Sequence, residues 1–315
     1  MGPDDASRGP KGARGGPSRG GPAGSPAVRT VGIIGAGPVG VALGVAISRA
    51  GWPVVAVASR DEGRRDRFCA LLPGARAFTT PEALLDEVDM AILAVPDDAV
   101  PLVANSMHLR RGQTLIHTSG SLGAEVLAPV LAADAHIGAF HPLVSFTEQV
   151  ERSVAALNGA TIALEGDDAT LGLLANLAEA IGGVPVSLPR GSKPAYHAAA
   201  VMASGGLVAL LDAVVALGAA AGLDERRALA VYGRLMGQTL ANAGAVGVGA
   251  ALTGPIARGD AGTVEAHIEA IERLAPGVMD LYLATARREL QIAEERGALS
   301  PDRVERVRTA LAKVV

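Results

Sequence analysis

A glycine-rich motif constrains the fold of this chain more than any other feature. The segment Val31–Gly40 reads VGIIGAGPVG, in which Gly35, Gly37 and Gly40 fit the pattern G-x-G-x-x-G between a short apolar run and a helical segment. The first glycine permits a tight turn, the second lets backbone N–H groups approach a pyrophosphate, and the third lets the helix pack closely on the strand. The motif predicts a turn that binds a dinucleotide at the positive end of a helix, and a glycine-rich turn without a ligand is the alternative.

The residues after the second predicted strand indicate which dinucleotide is bound. The apolar run Val54–Ala58 ends in Ser59 and Arg60, without the acid that binds the ribose hydroxyls of NAD. A missing acid and a guanidinium favour the 2′-phosphate of NADP. The sequence therefore predicts NADP as the cofactor, and the alternative is that Arg60 only solvates the strand end.

Two further strand ends are expected to line the same ligand. In open α/β sheets ligands bind beyond the carboxyl ends of the strands, and the fourth and fifth predicted strands end at Val95-Pro96 and at Thr118-Ser119. Pro96 could equally mark an ordinary helix start. The predicted cofactor site consists of Gly35, Ala36, Gly37, Pro38, Val39, Gly40, Ser59, Arg60, Val95, Pro96, Thr118 and Ser119.

The order of apolar and helical segments predicts the fold class. Short runs of Val, Ile and Ala alternate with helical segments up to Pro189, and only helical segments follow, which is typical of βαβ units and then an all-α region. We expect a disordered tail over 1–28, an α/β domain with a Rossmann-type doubly wound parallel sheet over 29–190 and an all-α C-terminal domain over 191–315. Strands are predicted near 30–35, 53–58, 76–79, 89–95, 113–118, 136–140, 160–165 and 184–188, and helices near 38–50, 61–72, 81–87, 97–108, 122–132 and 168–182.

The composition argues against several classes of function. A formal net charge of −4 and an aromatic content of 3% leave neither a basic surface nor stacking platforms for nucleic acid. Cys69 is the only cysteine, so neither an intrachain disulfide nor a cysteine-based zinc site can form, and the histidines show no metal-binding spacing. No metal is expected. Residues 1–27 lack the apolar core of a signal peptide, and we expect a cytoplasmic location.

One long apolar segment raises the question of a membrane span. The segment 198–223 is interrupted by Ser204 and Asp212, and no aromatic belt flanks it. We therefore expect a buried helix and no membrane partner. Its many alanines and glycines let helices approach closely, which suits a core helix or the interface of a homodimer.

Four side chains are candidates for catalysis. Ser119 and His141 each follow a predicted strand, so both are expected on the same rim of the sheet. Lys193 and His197 are four residues apart and share a helix face at the junction between the predicted domains, where substrates usually bind. A structural histidine at 141 and a solvated lysine at 193 are the alternatives.

A break between C-terminal helices offers candidates for substrate binding. The segment 251–260 reads ALTGPIARGD, and it could present Thr253 and Arg258 to an anionic substrate. A loop closed by an Arg258–Asp260 pair is the alternative.

With these motifs in this order, the chain resembles the bacterial Rossmann-like family whose helical part is domain of unknown function 2520, over about 29–310. This family is similar to the 6-phosphogluconate dehydrogenase-like superfamily, which includes ketopantoate reductase, pyrroline-5-carboxylate reductase and prephenate dehydrogenase. The resemblance implies an NADP-dependent oxidoreductase with a helical, often dimerising, second domain. It also implies that Lys193 takes the place of the lysine that protonates the substrate oxygen in ketopantoate reductase, with His197 where those enzymes carry Asn. Ser119 and His141-Pro142 resemble the Ser and His-Pro of prephenate dehydrogenases.

These observations lead to one expected reaction. We expect NADPH to reduce a small 2-oxo acid in the manner of ketopantoate reductase, with Lys193 protonating the developing alkoxide. His141 and His197 are expected to bind or polarise the carbonyl, Ser119 to hydrogen-bond it and Arg258 to pair with the carboxylate. The expected partners are a small anionic metabolite and a second copy of the chain. An imine reductase, a prephenate-dehydrogenase-like oxidoreductase and a non-catalytic NADP-sensing dimer are the alternatives.

Overall fold

The computed structural model describes residues 30–131 and 134–313. The tail predicted over 1–28 lies outside the described residues. The chain divides into two compact units between Ala195 and Tyr196. Lys193 therefore belongs to the first unit and His197 to the second.

The first unit is built on one sheet, and the predicted α/β fold class is confirmed. Its strands are β1 (Val31–Ile34), β2 (Val54–Ala58), β3 (Arg76–Phe78), β4 (Met90–Leu93), β5 (Thr114–His117), β6 (His136–Pro142), β7 (Thr161–Gly166) and β8 (Val184–Ser187). They lie in the order β3-β2-β1-β4-β5-β6-β7-β8. The direction in which the strands are added reverses between β1 and β4, which is where such sheets bind ligands.

One strand pair departs from the predicted parallel sheet. All neighbours are parallel except β6 and β7, in which His141 lies opposite Ala163 and Pro142 opposite Ile162. After β6 the chain re-enters the sheet at the same end at which it left. The N–H of Leu143, just after β6, donates to the carbonyl of Thr161, the first residue of β7, over 2.8 Å. A parallel neighbour needs a crossover to the opposite end of the sheet.

Helices cover both faces of this sheet. They are α1 (Pro38–Arg49), α2 (Glu62–Leu71), α3 (Pro81–Leu85), α4 (Ala99–Asn105), α5 (Val150–Ala155) and α6 (Asp168–Ala180). The short helix α5 was not predicted, and the helix predicted near 122–132 is a 3-10 helix, Ala124–Val130, that contains Pro129. One apolar cluster includes Phe68 and Phe140, and a second includes Leu93 and Leu115.

The second unit consists of helices, as predicted. Helix α7 (Lys193–Val201) continues through a π-helical turn (Met202–Gly206) into α8 (Leu207–Ala220), and the remaining helices are α9 (Glu225–Val246), α10 (Val248–Ala251), α11 (Pro255–Arg258), α12 (Ala261–Leu274), α13 (Met279–Glu295) and α14 (Pro301–Ala312). Ile256, Val264, Leu283 and Val307 belong to its apolar core.

The prediction of a buried helix over 198–223 is wrong for the single chain. Met202 is 76% exposed and Val208 is 65% exposed. Helix α8 packs closely on α9, since a Cβ added to Gly218 would lie 2.9 Å from the Cβ of Ala228. The packing of α8 on its neighbours leaves the rest of this mostly apolar surface exposed. By length and composition alone, the helix Lys193–Ala220 could cross a membrane, since an 18-residue window of it has a mean hydropathy of 2.1 and is 6% buried. A single such helix is weak evidence for a membrane span.

Candidate functional site

The three motif glycines each have a distinct steric reason in the turn between β1 and α1. Gly35 has a φ of +105°, and a Cβ there would collide with the carbonyl oxygen of Ala94. A Cβ on Gly40 would collide with the carbonyl oxygen of Gly35. Gly37 has an ordinary extended backbone and caps α1, and the nearest atom to its missing Cβ is a guanidinium nitrogen of Arg64 at 4.0 Å. Two glycines are thus required by the fold, while the third leaves space beside the helix N-terminus.

A cavity of about 960 Å³ opens at the carboxyl ends of β1, β2 and β4. Its size is at the upper end of the range for small-molecule pockets. Of the predicted cofactor residues, only Gly40 and Ser119 do not line it, and both are buried. Those that line it are Gly35, Ala36, Gly37, Pro38, Val39, Ser59, Arg60, Val95, Pro96 and Thr118.

The cavity wall also contains residues that the sequence did not indicate. Leu102, Val103 and Ser106 line the cavity from α4 and the residue after it, and Thr79 lines it from the segment after β3. Leu102 and Ser106 are four positions apart and so share a helix face. No sequence motif marks this face of α4. It lines the cavity because α4 lies beside the turn between β1 and α1.

Arg60 differs from the charged residues that follow it. The carboxylate of Asp61 accepts from the backbone N–H of Arg64 over 3.0 Å, and the side chain of Arg65 donates to the carbonyl of Ser59 over 2.6 Å. Asp61 is therefore used as the cap of α2. Arg60 is exposed at the cavity, and none of the ion pairs among the described residues involves it. Its guanidinium is available for an anion.

Lys193 is fully buried in the first unit, and its ammonium donates to the backbone carbonyl of Ser119 over 2.6 Å. The residue before Ser119 in the chain, Thr118, lines the cavity, so Lys193 lies directly behind the cavity wall. The sequence contains three lysines, Lys11, Lys193 and Lys313. All the other residues counted as Lys or Arg are arginines. The choice of lysine is significant because an ammonium can lose its proton when buried and a guanidinium cannot.

Burial and nearby charges act against each other on Lys193. Desolvation lowers the pKa of Lys193 to about 8, while the carboxylates of Glu165, Asp97 and Glu125 act to raise it. A group with a pKa close to neutral pH can both hold a proton and release it. The predicted role of Lys193 as an acid fits this environment.

The hydroxyl of Ser119 stabilises its own loop. Its Oγ accepts from the backbone N–H of Ser121 over 3.2 Å and from that of Leu122 over 3.0 Å. The hydroxyl of Ser121 in turn donates to the carboxylate of Asp97 over 2.7 Å. These contacts fix the carbonyl that holds Lys193, whereas the predicted contact of Ser119 with a substrate remains a prediction.

His117 is a second buried ring at this edge of the sheet. Its Nδ1 accepts from the backbone N–H of Ser119, and its Nε2 lies 3.1 Å from the carbonyl oxygen of Gly123. These partners assign a neutral ring with the proton on Nε2. Burial lowers the pKa of His117 to about 4, so the ring stays neutral near pH 7 and supports the loop that holds Lys193.

Glu165 is the residue at this edge that the sequence reasoning missed. It lies in β7, is 5% exposed, and its Oε1 accepts from the backbone N–H of Ala124 over 3.3 Å. Burial and the neighbouring Glu125 raise the pKa of Glu165, and Lys193 counteracts them. A signal was present, because an acid near the end of the otherwise apolar run TIALEG is unusual for an interior strand.

The remaining predicted residues lie in different parts of the chain. His141 is half-buried in β6 opposite Ala163, at the carboxyl end of that strand. His197 lies in the part of α7 that belongs to the second unit. Their roles stay predictions.

Thr253 and Arg258 also belong to the second unit. Both are exposed, and Arg258 ends the short helix α11. Asp260 caps α12, where its carboxylate accepts from the backbone N–H of Thr263 over 3.1 Å and from the hydroxyl of Thr263 over 2.7 Å. The structure contains no hydrogen-bonded Arg258–Asp260 pair among the described residues, so Arg258 keeps its predicted role as a hypothesis.

Two family models match the chain. The Rossmann-like domain matches residues 16–142, and the domain of unknown function DUF2520 matches residues 160–289. The chain carries a Rossmann-like domain and a DUF2520 domain. The resemblance to the Rossmann-like and DUF2520 family drawn from the sequence is thereby confirmed. No curated protein matches this Rossmann-like and DUF2520 chain significantly.

Solved structures share the fold. Protein TM1727 from Thermotoga maritima is 26% identical, with a TM-score of 0.64 over 84% of this chain and 99% of that one. A putative NADP oxidoreductase, BF3122 from Bacteroides fragilis, is 20% identical, with a TM-score of 0.66 over 84% of this chain and 98% of that one. An imine reductase from Aspergillus terreus in complex with NADPH4 and dibenz[c,e]azepine is 19% identical, with a TM-score of 0.65 over 88% and 98% of the two chains. At this level of identity the likeness establishes the architecture of both units.

Proposed function

We propose that this chain is an NADP-dependent oxidoreductase that reduces a small anionic metabolite, a 2-oxo acid. The observation that carries the proposal is the cavity at the β1–β4 reversal, with Gly37 open to a pyrophosphate and Arg60 available at its wall. The family assignment and the fold shared with a putative NADP oxidoreductase and an NADPH-complexed imine reductase support it.

The residues present fit NADP better than NAD. The backbone N–H groups at the start of α1 bind the pyrophosphate, beside the Cβ-free surface of Gly37. Asp61 lines the cavity too, and one of its carboxylate oxygens is used as the cap of α2. Arg60 binds the 2′-phosphate through charge-assisted hydrogen bonds.

The chain supplies the proton for the reaction. When bound, NADPH supplies the hydride. Lys193 gives a proton to the oxygen that becomes negative as the carbonyl is reduced, and the buried site strengthens this interaction relative to water.

The first test compares the two nicotinamide cofactors. We expect NADPH to bind more tightly than NADH, and the Arg60→Ala variant to bind NADPH about 10- to 100-fold more weakly with little change for NADH, because a charge-assisted contact contributes about 1.5–3 kcal/mol. Nicotinamide fluorescence and thermal shift measure both affinities. Equal weakening of NADPH and NADH, or no weakening, would contradict the assignment of Arg60.

Arg76→Ala is the matched control. Arg76 is an exposed arginine of β3 that pairs with Glu87 over 2.7 Å and does not line the cavity. Its removal is expected to leave both affinities unchanged. Once NADPH binding is established, NADPH oxidation reports on a screen of 2-oxo acids, with cyclic imines as the competing substrate class.

We also propose that a second copy of the chain covers the apolar surface of α8 and α9. This surface includes Val208, Leu235, Leu240 and Val246, and it continues onto Met202 of the π-helical turn before α8; all five are between 58% and 76% exposed. Apolar patches of this kind mark interaction sites, and a twofold-related copy offers the same apolar, small-residue surface in return.

The oligomeric state tests this proposal. Light scattering after size exclusion is expected to give twice the chain mass of 31.6 kDa. Leu240→Lys should give the monomer, whereas Leu274→Lys, at a 52% exposed position on α12, should leave the dimer intact. A monomeric wild type that floats with lipid vesicles would assign the surface to a membrane and overturn the proposal.

A further inference from the structure

An arginine of α2 reaches the turn between β1 and α1. Arg64 lies in the first turn of α2 and lines the cavity. Side chains of a helix tilt toward its N-terminus, which for α2 follows the carboxyl end of β2. The Nη1 atom of Arg64 lies 4.0 Å from the position that a Cβ on Gly37 would occupy. The guanidinium therefore borders the open space in which the proposed function places the pyrophosphate.

Asp61 orients this guanidinium. Its Oδ1 caps α2 by accepting from the backbone N–H of Arg64 over 3.0 Å, and its Oδ2 lies 3.7 Å from the Nε of Arg64. This is the one ion pair of Arg64 among the described residues. Both side chains are more than half exposed, so the pair contributes little free energy. It directs the side chain without using the Nη1 donors that border Gly37.

The N-terminus of α1 adds positive potential at the same place. The helix is capped by Gly37 and starts with Pro38, and it has neither an acidic residue in its first turn nor a side-chain cap. Its first N–H groups therefore lack partners within the helix, and the helix end is positive. A guanidinium beside such an end is disfavoured unless an anion lies between the two. The arrangement suits an anion with several oxygens, some bound by backbone N–H groups and some by Arg64.

We propose that Arg64 is a second cofactor-binding arginine, whose guanidinium holds the pyrophosphate of the dinucleotide together with the N–H groups at the start of α1. The proposal rests on the proposed function and gives the two cavity arginines different roles. Arg60 binds the 2′-phosphate, which NADP has and NAD lacks, and so sets the preference between the cofactors. Arg64 binds the pyrophosphate, which both cofactors contain, and so raises the affinity for both.

The affinities for the two cofactors separate these roles. Arg64→Ala is expected to weaken the binding of NADPH and of NADH by the same factor of about 10 to 100, the usual effect of removing one charge-assisted contact. The ratio of the two affinities should keep its wild-type value. Isothermal titration measures both. The side chain of Arg64 is 53% exposed and alanine is a good helix former, so the variant is expected to stay folded, which thermal unfolding checks.

Arg67→Ala is the matched control. Arg67 lies three positions further along α2, pairs with Glu148 over 3.7 Å and does not line the cavity. Its removal takes away the same charge and is expected to leave both affinities unchanged. An equal loss in Arg67→Ala and Arg64→Ala would reduce the effect to the net charge of α2 and contradict the proposal.

The double variant Arg60→Ala/Arg64→Ala tests whether the two arginines bind different groups. If they do, the two losses in NADPH affinity are independent and their factors should multiply. A double variant that binds NADPH no more weakly than the weaker single variant would show that both arginines bind one phosphate, which overturns the proposal.

Two further results would overturn the proposal while leaving the dinucleotide site in place. One is unchanged binding of both cofactors by folded Arg64→Ala protein. The other is a loss for NADPH alone, which would assign Arg64 to the 2′-phosphate. A wild type that binds neither cofactor refutes the proposed function itself, and the role of Arg64 with it.

Discussion

Replacing Gly37 by valine is expected to weaken NADPH binding at least about 100-fold while the protein stays folded. The valine side chain would occupy the open space beside the N-terminus of α1, where the pyrophosphate needs direct access to backbone N–H groups. Loss of two charge-assisted hydrogen bonds costs about 3–6 kcal/mol. Isothermal titration with NADPH measures the affinity, and thermal unfolding measures the stability.

Gly35→Ala is the matched variant, and its main expected effect is on the stability of the fold instead of on NADPH binding. Gly35 has a φ of +105°, and its Cβ would collide with Ala94, so we expect a loss of about 2 kcal/mol or more in the free energy of unfolding. For Gly37→Val the corresponding loss is expected to be about 1 kcal/mol or less, the cost of a poor N-cap residue. A Gly37→Val protein that retains wild-type NADPH affinity would show that the cofactor does not use this turn.

Replacing Lys193 by methionine is expected to lower turnover of a confirmed substrate about 10²- to 10⁴-fold, the usual contribution of a general acid. Methionine keeps much of the buried volume and removes the proton donor. Because Lys193 does not line the cavity, NADPH affinity should change little. Steady-state kinetics and NADPH titration of the same preparation separate the two quantities.

The stability of Lys193→Met provides a control for its activity. Removing the ammonium leaves the buried Ser119 carbonyl without its Lys193 donor, and an unsatisfied buried polar group costs about 1–3 kcal/mol. Turnover within a few-fold of wild type would instead make Lys193 a purely structural clamp on the Ser119 carbonyl.

Sequence reasoning was most successful where one residue type has one steric explanation. The positive φ at Gly35 and the close approach at Gly40 exclude any side chain, so the glycine spacing alone located the turn. The strand ends at Ser59, Val95 and Thr118 followed from the rule that a doubly wound sheet binds ligands at its carboxyl edge. These residues line one cavity because consecutive parallel strands deliver their ends to the same place.

The same reasoning failed where a residue depends on distant neighbours. Nothing in the local sequence reverses β7, and that reversal places Glu165 opposite Ala139 of β6, where its carboxylate accepts from the backbone N–H of Ala124. The long apolar helix α8 was expected in the core, yet its outer face is exposed in the single chain. The hydrophobicity of a segment predicts that its surface will be buried, and only the packing of the whole molecule decides which surface buries it.

The sequence by itself thus determined the α/β class, the all-α region that follows and the glycine-rich turn between β1 and α1, because backbone sterics and the alternation of apolar segments are local properties. Only the tertiary structure decided that Asp61 caps a helix, that Ser119 presents its carbonyl to Lys193 and that Glu165 accepts from the backbone of Ala124. These contacts join residues up to 74 positions apart in the chain. The charge state of a buried side chain depends on such contacts, since desolvation and neighbouring charges act through space and not along the sequence.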